Sequence, residues 1–210
     1  MAMGDVERAQ RVFLNVPFDV GYEKLLLALI ASLACLGRRP RCVLEIPESG
    51  QGRLSRLFEQ IGQCGASVHD LSRVGQPARF NMPFELGLAC AVQKYSTHGD
   101  RHSYFLLESQ RHRLDKTLSD IKGRDPLIHE GKPHQIMGCM LEVFGGRVSD
   151  PTVDQIYALW RRLLRIVRDR KHEHHQQTIY SRQLFLLAVG EATTLAAQAG
   201  FIGPANGVRN

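Results

Sequence analysis

The chain contains no apolar run approaching ~20 residues free of charge, so no segment is expected to span a bilayer. Residues 1–10 are polar and lack the apolar core of a secretory signal, so export is not expected. Cysteine is sparse and odd in number: Cys35, Cys42, Cys64, Cys90 and Cys139 are widely spaced and form no CxxC pair. That pattern argues against a disulfide framework and a thiolate zinc site, and it suits a reducing, cytoplasmic compartment. No GxGxxG follows the first apolar segment and no GxxxxGK(S/T) occurs. The dinucleotide-fold fingerprint and the P-loop are therefore missing. What remains is a globular composition, 43% hydrophobic and 23% charged, sized for one domain with an appendage. A net charge of +6 permits anion binding without naming the anion.

Apolar segments alternate with helical patterns. Arg11-Val-Phe-Leu-Asn15 reads as a first strand stopped by Pro17, with Asp19 placed to cap the helix over residues 22–36. Residues 41–46 read as a second strand and 53–64 as an amphipathic helix with Leu54, Leu57, Phe58 and Ile61 on one side. Strands follow at 66–69, 103–108 and 126–129, with helices after 83, within 111–122 and at 133–144. Regular β-α alternation predicts a doubly wound parallel sheet of five strands with helices on both faces. Residues 1–146 would form this α/β domain. A break at Gly145 and Gly146 leads to a basic helix over 152–171 and a second over 178–199, a hairpin covering 150–199, with 200–210 a loose tail. The hairpin is expected to pack on the α/β core or on a second copy, making a homo-oligomer.

The chemistry concentrates in two segments, Cys64-Gly-Ala-Ser-Val-His-Asp-Leu-Ser-Arg73 and Arg79-Phe-Asn-Met-Pro-Phe-Glu-Leu-Gly-Leu-Ala-Cys-Ala91. Asp70, Ser72 and Arg73 would emerge at the carboxyl end of an interior strand, the edge where open α/β sheets bind ligands. Pro83 suits a first helical position, which would put Glu85 in the first turn, near the positive end of the helix dipole and ionised at neutral pH. A structural reading competes, since a Glu three residues past a cap can bond back to it. The cap here would be Met82 or Asn81 rather than Ser or Thr.

Asn81-Met-Pro-Phe-Glu-Leu-Gly-Leu-Ala-Cys-Ala91 resembles the helix motif of nucleoside 2-deoxyribosyltransferases, and Phe13-Leu-Asn-Val-Pro-Phe-Asp19 resembles that family's first strand and Pro-Phe loop. TIR domains share the flavodoxin-like arrangement. With Ser-Val-His-Asp-Leu-Ser-Arg73 added, the pattern is similar to uncharacterised bacterial TIR-like proteins of the kind associated with phage defence, over about residues 11 to 144. The resemblance implies that Glu85 is the nucleophile, or the stabiliser of a cationic sugar, in cleavage of an N-glycosidic bond. The transferases carry Asp-x-Gly-Thr before the aromatic-Glu pair, whereas this chain has Arg79-Phe-Asn-Met-Pro. Arg79 favours a phosphate-bearing substrate, so NAD hydrolysis with nicotinamide release is expected, NAD serving as substrate and no cofactor being implied. Asn15, Pro17, Phe18 and Asp19 would wall the base and ribose, Asp70, Ser72 and Asn81 would line the site, and Arg73 and Arg79 would meet phosphates. The alternatives are a nucleotide-binding sensor without turnover and a nucleoside 2-deoxyribosyltransferase.

Two further clusters weigh less. His172, His174 and His175 suggest a metal but lie in a hydrophilic turn. Arg161, Arg162, Arg165, Arg168 and Arg170 suggest nucleic acid, but no aromatics are interleaved for base stacking, so nucleic acid is not the expected partner.

Overall fold

The computed structural model describes residues 3–45, 52–73, 80–96, 101–121, 123–173, 175 and 178–203. Five strands, β1 (Arg11–Asn15), β2 (Arg39–Arg41), β3 (Ala66–Asp70), β4 (Ser103–Glu108) and β5 (Leu127–Ile128), form one all-parallel sheet in the order β2-β1-β3-β4-β5. That is the flavodoxin-like order. The helices are α1 (Met3–Gln10), α2 (Glu23–Cys35), α3 (Arg53–Gly62), α4 (Asn81–Tyr95), α5 (Leu114–Thr117), α6 (Pro133–Phe144), α7 (Val153–Glu173) and α8 (Arg182–Gln198). No helix of the described residues is long and apolar enough to cross a membrane.

The chain divides into two compact units: Met1–Pro17 with Arg41–Gly131, and Phe18–Pro40 with Lys132–Asn210. This differs from the linear division expected at residue 146. The reason lies in α2: all eleven residues from Leu25 to Cys35 are buried. A helix apolar on every side needs cover all round, and α6, α7 and α8 supply it within the second unit.

In the first unit, β1 and β3 pair from Val12–Ala66 to Asn15–His69, and β3 and β4 from Ala66–Ser103 to Asp70–Leu107. β3 is buried at every position. Side chains alternate between sheet faces. Phe13, Tyr104 and Leu106 lie in one buried cluster with Leu57 and Ile61 of α3 and with Met82, Leu86, Ala89 and Val92 of α4. Leu54 and Phe58, expected on the same apolar side, are about half exposed. The N-terminal segment forms α1, a helix the sequence reading left out. It packs on the turn before β3: Arg8 Nε donates to the Gly62 carbonyl at 2.9 Å and the Gly65 N–H donates to the Arg8 carbonyl at 2.7 Å. A Cβ on Gly65 would lie 2.8 Å from the Ala9 Cα, so only glycine permits this approach.

The second strand lies ahead of the expected 41–46: β2 ends at Arg41, where that strand was to begin, and Val43–Glu45 is a 3-10 turn. Glu45 folds its carboxylate back to accept the Cys42 N–H at 3.0 Å and Arg41 Nε at 2.8 Å. Such local side-chain bonds compete with a sheet ladder. The helix expected over 111–122 is reduced to α5 and the 3-10 turn Ser119–Ile121.

In the second unit, α2 is tied to the C-terminal helices by polar contacts. Glu23 accepts from Lys171 Nζ at 2.8 Å and from the Ile179 N–H at 3.0 Å. Trp160 Nε1 donates to the Lys24 carbonyl at 3.2 Å. Ser181 caps α8 by accepting the Leu184 N–H at 3.2 Å. Gly200, at φ +74, closes α8, and the Phe201 N–H donates to the Ala196 carbonyl. Ile202 packs against Gly37, so the expected loose tail is anchored over its first residues; residues 204–210 lie outside the described set.

Candidate functional site

Helix α4 starts at Asn81, with Phe80 as its cap residue and no side-chain cap. The Phe84 N–H donates to the Phe80 carbonyl at 3.2 Å, the first helical hydrogen bond. Pro83 therefore occupies the third helical position. Its missing N–H falls among the donors that a helix start leaves unpaired in any case. Glu85 is the fifth helical residue, two positions deeper than expected, where the field of the helix end has weakened.

Glu85 as a residue is 9% exposed, and its carboxyl group makes no hydrogen bond or ion pair with any described residue. Desolvation pushes its pKa up to about 7, opposed by the charge of Arg53. This corrects the expectation of a carboxylate held ionised by the dipole: burial outweighs the helix field. A buried carboxyl whose pKa desolvation pushes toward neutrality is a functional-site candidate. Phe80 and Phe84, one helical turn apart at the start of α4, are 79% and 55% exposed and form an apolar surface.

What fixes the start of α4 is a buried relay of side chains. His102 Nδ1 donates to the Cys64 carbonyl at 2.9 Å, because a carbonyl can only accept. Its Nε2 then accepts from the Ser67 hydroxyl at 2.8 Å. Ser67 in turn accepts from His69 Nε2 at 2.8 Å. His69 Nδ1 accepts from Asn15 Nδ2 at 2.9 Å, and the second hydrogen of that amide goes to the Met82 carbonyl at 2.9 Å. Each link dictates the tautomer of the next. Burial pushes His69 down to about 3 and lowers His102, so both imidazoles are neutral at pH 7. Asn15, expected against the substrate, instead has both amide hydrogens engaged within the protein. It clamps the first turn of α4, one turn ahead of Glu85.

At the carboxyl end of β3, Asp70 accepts from the Ser72 N–H at 2.8 Å and also from the Ser72 hydroxyl. His129 Nε2 lies 3.1 Å from Asp70 Oδ2 and 2.9 Å from Ser72 Oγ, while its Nδ1 accepts the Gly131 N–H at 3.0 Å. Ser, His and Asp thus meet, but not as a nucleophilic triad. The serine proton points at the aspartate, and the one imidazole nitrogen free of the backbone bond faces both partners as a donor. Nearby on β4, Glu108 is fully buried and forms a bidentate pair with Arg113, whose Nη2 also donates to the Leu71 carbonyl at 3.2 Å.

Pro17 is buried, Asn81 and Arg73 are exposed, and Arg79 lies outside the described residues. Phe18 and Asp19 belong to the second unit. There Phe18 stacks on Tyr180 at 5.3 Å between ring centres, and the Asp19 carbonyl accepts the Tyr180 hydroxyl at 2.6 Å. Asp19 heads a 3-10 turn, Val20–Tyr22, without capping it by its side chain. His174 is not among the described residues, and among those that are, no cluster of His, Cys, Asp and Glu is arranged to hold a metal ion.

Comparison of the chain with protein-family models, with curated proteins and with solved structures finds no match.

Proposed function

We propose that the protein hydrolyses the N-glycosidic bond of a nucleotide, NAD being the leading substrate, with Glu85 beside the anomeric carbon. The observation that carries the reading is the Glu85 carboxyl itself: desolvated, unpaired among the described residues, and pushed up to about 7. A carboxyl without a protein partner is open to a cationic one. Nicotinamide on NAD is positively charged, and the sugar becomes cationic as the bond breaks. Either charge favours the ionised form of Glu85, and a carboxylate out of water interacts with it strongly. The C1′–N bond breaks with its electron pair leaving on nicotinamide, which needs no protonation. Water, or first Glu85 and then water, adds to C1′ and releases one proton. Phe80 and Phe84 offer apolar surface for a ring. The resemblance to TIR-like and deoxyribosyltransferase sequences points the same way and extends the proposal to a homo-oligomeric role in phage defence.

A nucleotide-binding module without turnover is the second reading. It is favoured by the edge cluster, in which Asp70, Ser72 and His129 already bond to one another. The test is incubation of the full chain with NAD over a range of protein concentrations, with nicotinamide followed by chromatography. Release that rises with pH through about 7, and that falls at least ~100-fold in Glu85→Gln, is expected. Turnover undiminished in Glu85→Gln removes the assignment. Saturable NAD binding without release selects the binding module, and base exchange between deoxynucleosides selects a transferase.

A further inference from the structure

The second unit contains a groove of about 960 Å³ between α7 and the first turns of α2. Leu27, Leu164, Val167 and Ile179 give it an apolar floor. Along one side run Arg161, Arg165, Arg168 and His172, at helical spacings of four, three and four. That spacing sets them in one stripe, and the α7 residues that line the groove, 158 to 172, span about 21 Å of helix. Arg162 and Lys24 add charge to the walls, whereas the single carboxylate, Glu23, is neutralised by Lys171. Arg161, Arg162 and Arg165 make no ion pair or hydrogen bond with any described residue.

We propose that this groove receives an acidic amphipathic helix of a partner protein. The cations do not converge on a point, as they would for a compact anion. They follow a line about three helical turns long, with an apolar strip beside them. A helix carrying Asp or Glu on one face and Leu, Ile or Met on the next matches both features at once. Nucleic acid would match the charge but leave the apolar floor bare, and no Phe, Tyr or Trp lines the groove to stack a base. A flat membrane could meet the rim but not a concave floor. A second copy of the chain does not fit either, since apart from α7 no helix carries more than two acidic residues.

The test pans a display library of random 20-residue peptides against the full chain. The selected sequences should be rich in Asp and Glu, with apolar residues at i, i+3, i+4 and i+7. A synthetic peptide of the winning sequence is then titrated by fluorescence anisotropy. Arg161→Glu/Arg165→Glu/Arg168→Glu should weaken it at least tenfold, and raising salt from ~50 to ~300 mM should weaken it severalfold. All three side chains are exposed, so the variant should keep the circular dichroism of the parent. Trp160, bonded to the Lys24 carbonyl behind the groove, should change its emission on binding. Selection without acidic bias, or a triple variant within twofold of the parent, overturns the proposal. So does tighter binding of an oligonucleotide of equal charge, or of phosphatidylserine vesicles that displace the peptide.

Discussion

Replacing Glu85 by Gln should stabilise the protein, and by an amount that depends on pH. The carboxyl titrates at 4.5 when exposed and at about 7 in the fold, which corresponds to about 3 kcal/mol. Below pH 4.5 the folded and unfolded chains both hold the proton and the side chain carries no penalty. Between 4.5 and about 7 the unfolded chain has released it and the folded chain has not, so stability falls as pH rises. Above about 7 the whole penalty is present. Glutamine keeps the shape without the charge. Its advantage over the parent should therefore grow by about 3 kcal/mol between pH 4.5 and pH 8. Urea denaturation at the two pH values measures it. Far-UV circular dichroism should be the main probe, because the only tryptophan, Trp160, belongs to the other unit. A gain equal at both pH values, or a loss at pH 8, would refute the account of Glu85 as a desolvated, unpaired acid.

His69 acts with the opposite sign. The unfolded chain takes up its proton below 6.5 and the folded chain not until about 3, so stability is lost as pH falls through that window. Just below pH 6.5 the Glu85 slope opposes that of His69, to which His102, also lowered by burial, adds with the same sign, so stability should fall more steeply on acidification in Glu85→Gln than in the parent, which a denaturation series in steps of half a pH unit would reveal. Nitrogen-15 spectra at pH 7 should show His69 protonated at Nε2 and His102 at Nδ1; the reverse tautomers would break the relay as described. Asn15→Ala leaves the His69 Nδ1 and Met82 carbonyl acceptors without their donor and should cost about 2–4 kcal/mol by urea denaturation, with loss of NAD turnover in any active preparation. Gly65→Ala forces α1 off the turn before β3 and should lower the midpoint of the first unit's transition, whereas Gly62→Ala, with open space around its Cβ, should not.

The sheet was legible in the sequence because its strands are short apolar runs between helical patterns, and β4 and α6 begin and end where periodicity places them. β2 was misread because Glu45, which continues the strand pattern, prefers its own backbone. The start of α4 was displaced because Pro83 fits the third position as well as the first. Ser67 and His69 alternate in a buried strand, a visible sign of polar groups aimed at the core. Their partners Asn15 and His102 lie 54 and 35 residues away, and no local pattern links such distances. The burial of Glu85 was equally hidden, since it depends on what packs against α4 rather than on the motif around it.

One consequence follows from where α2 sits in the chain. Translation reaches α2 before α6, α7 and α8, the helices that cover it. Until they follow, a nearly uncharged stretch of leucine and alanine lacks their cover, a state that invites aggregation or a chaperone. Helices α7 and α8 are thus no detachable annex: a chain cut at residue 146 would keep α6 but strip the rest of the cover from α2, and its insolubility would say nothing about the chemistry at Glu85.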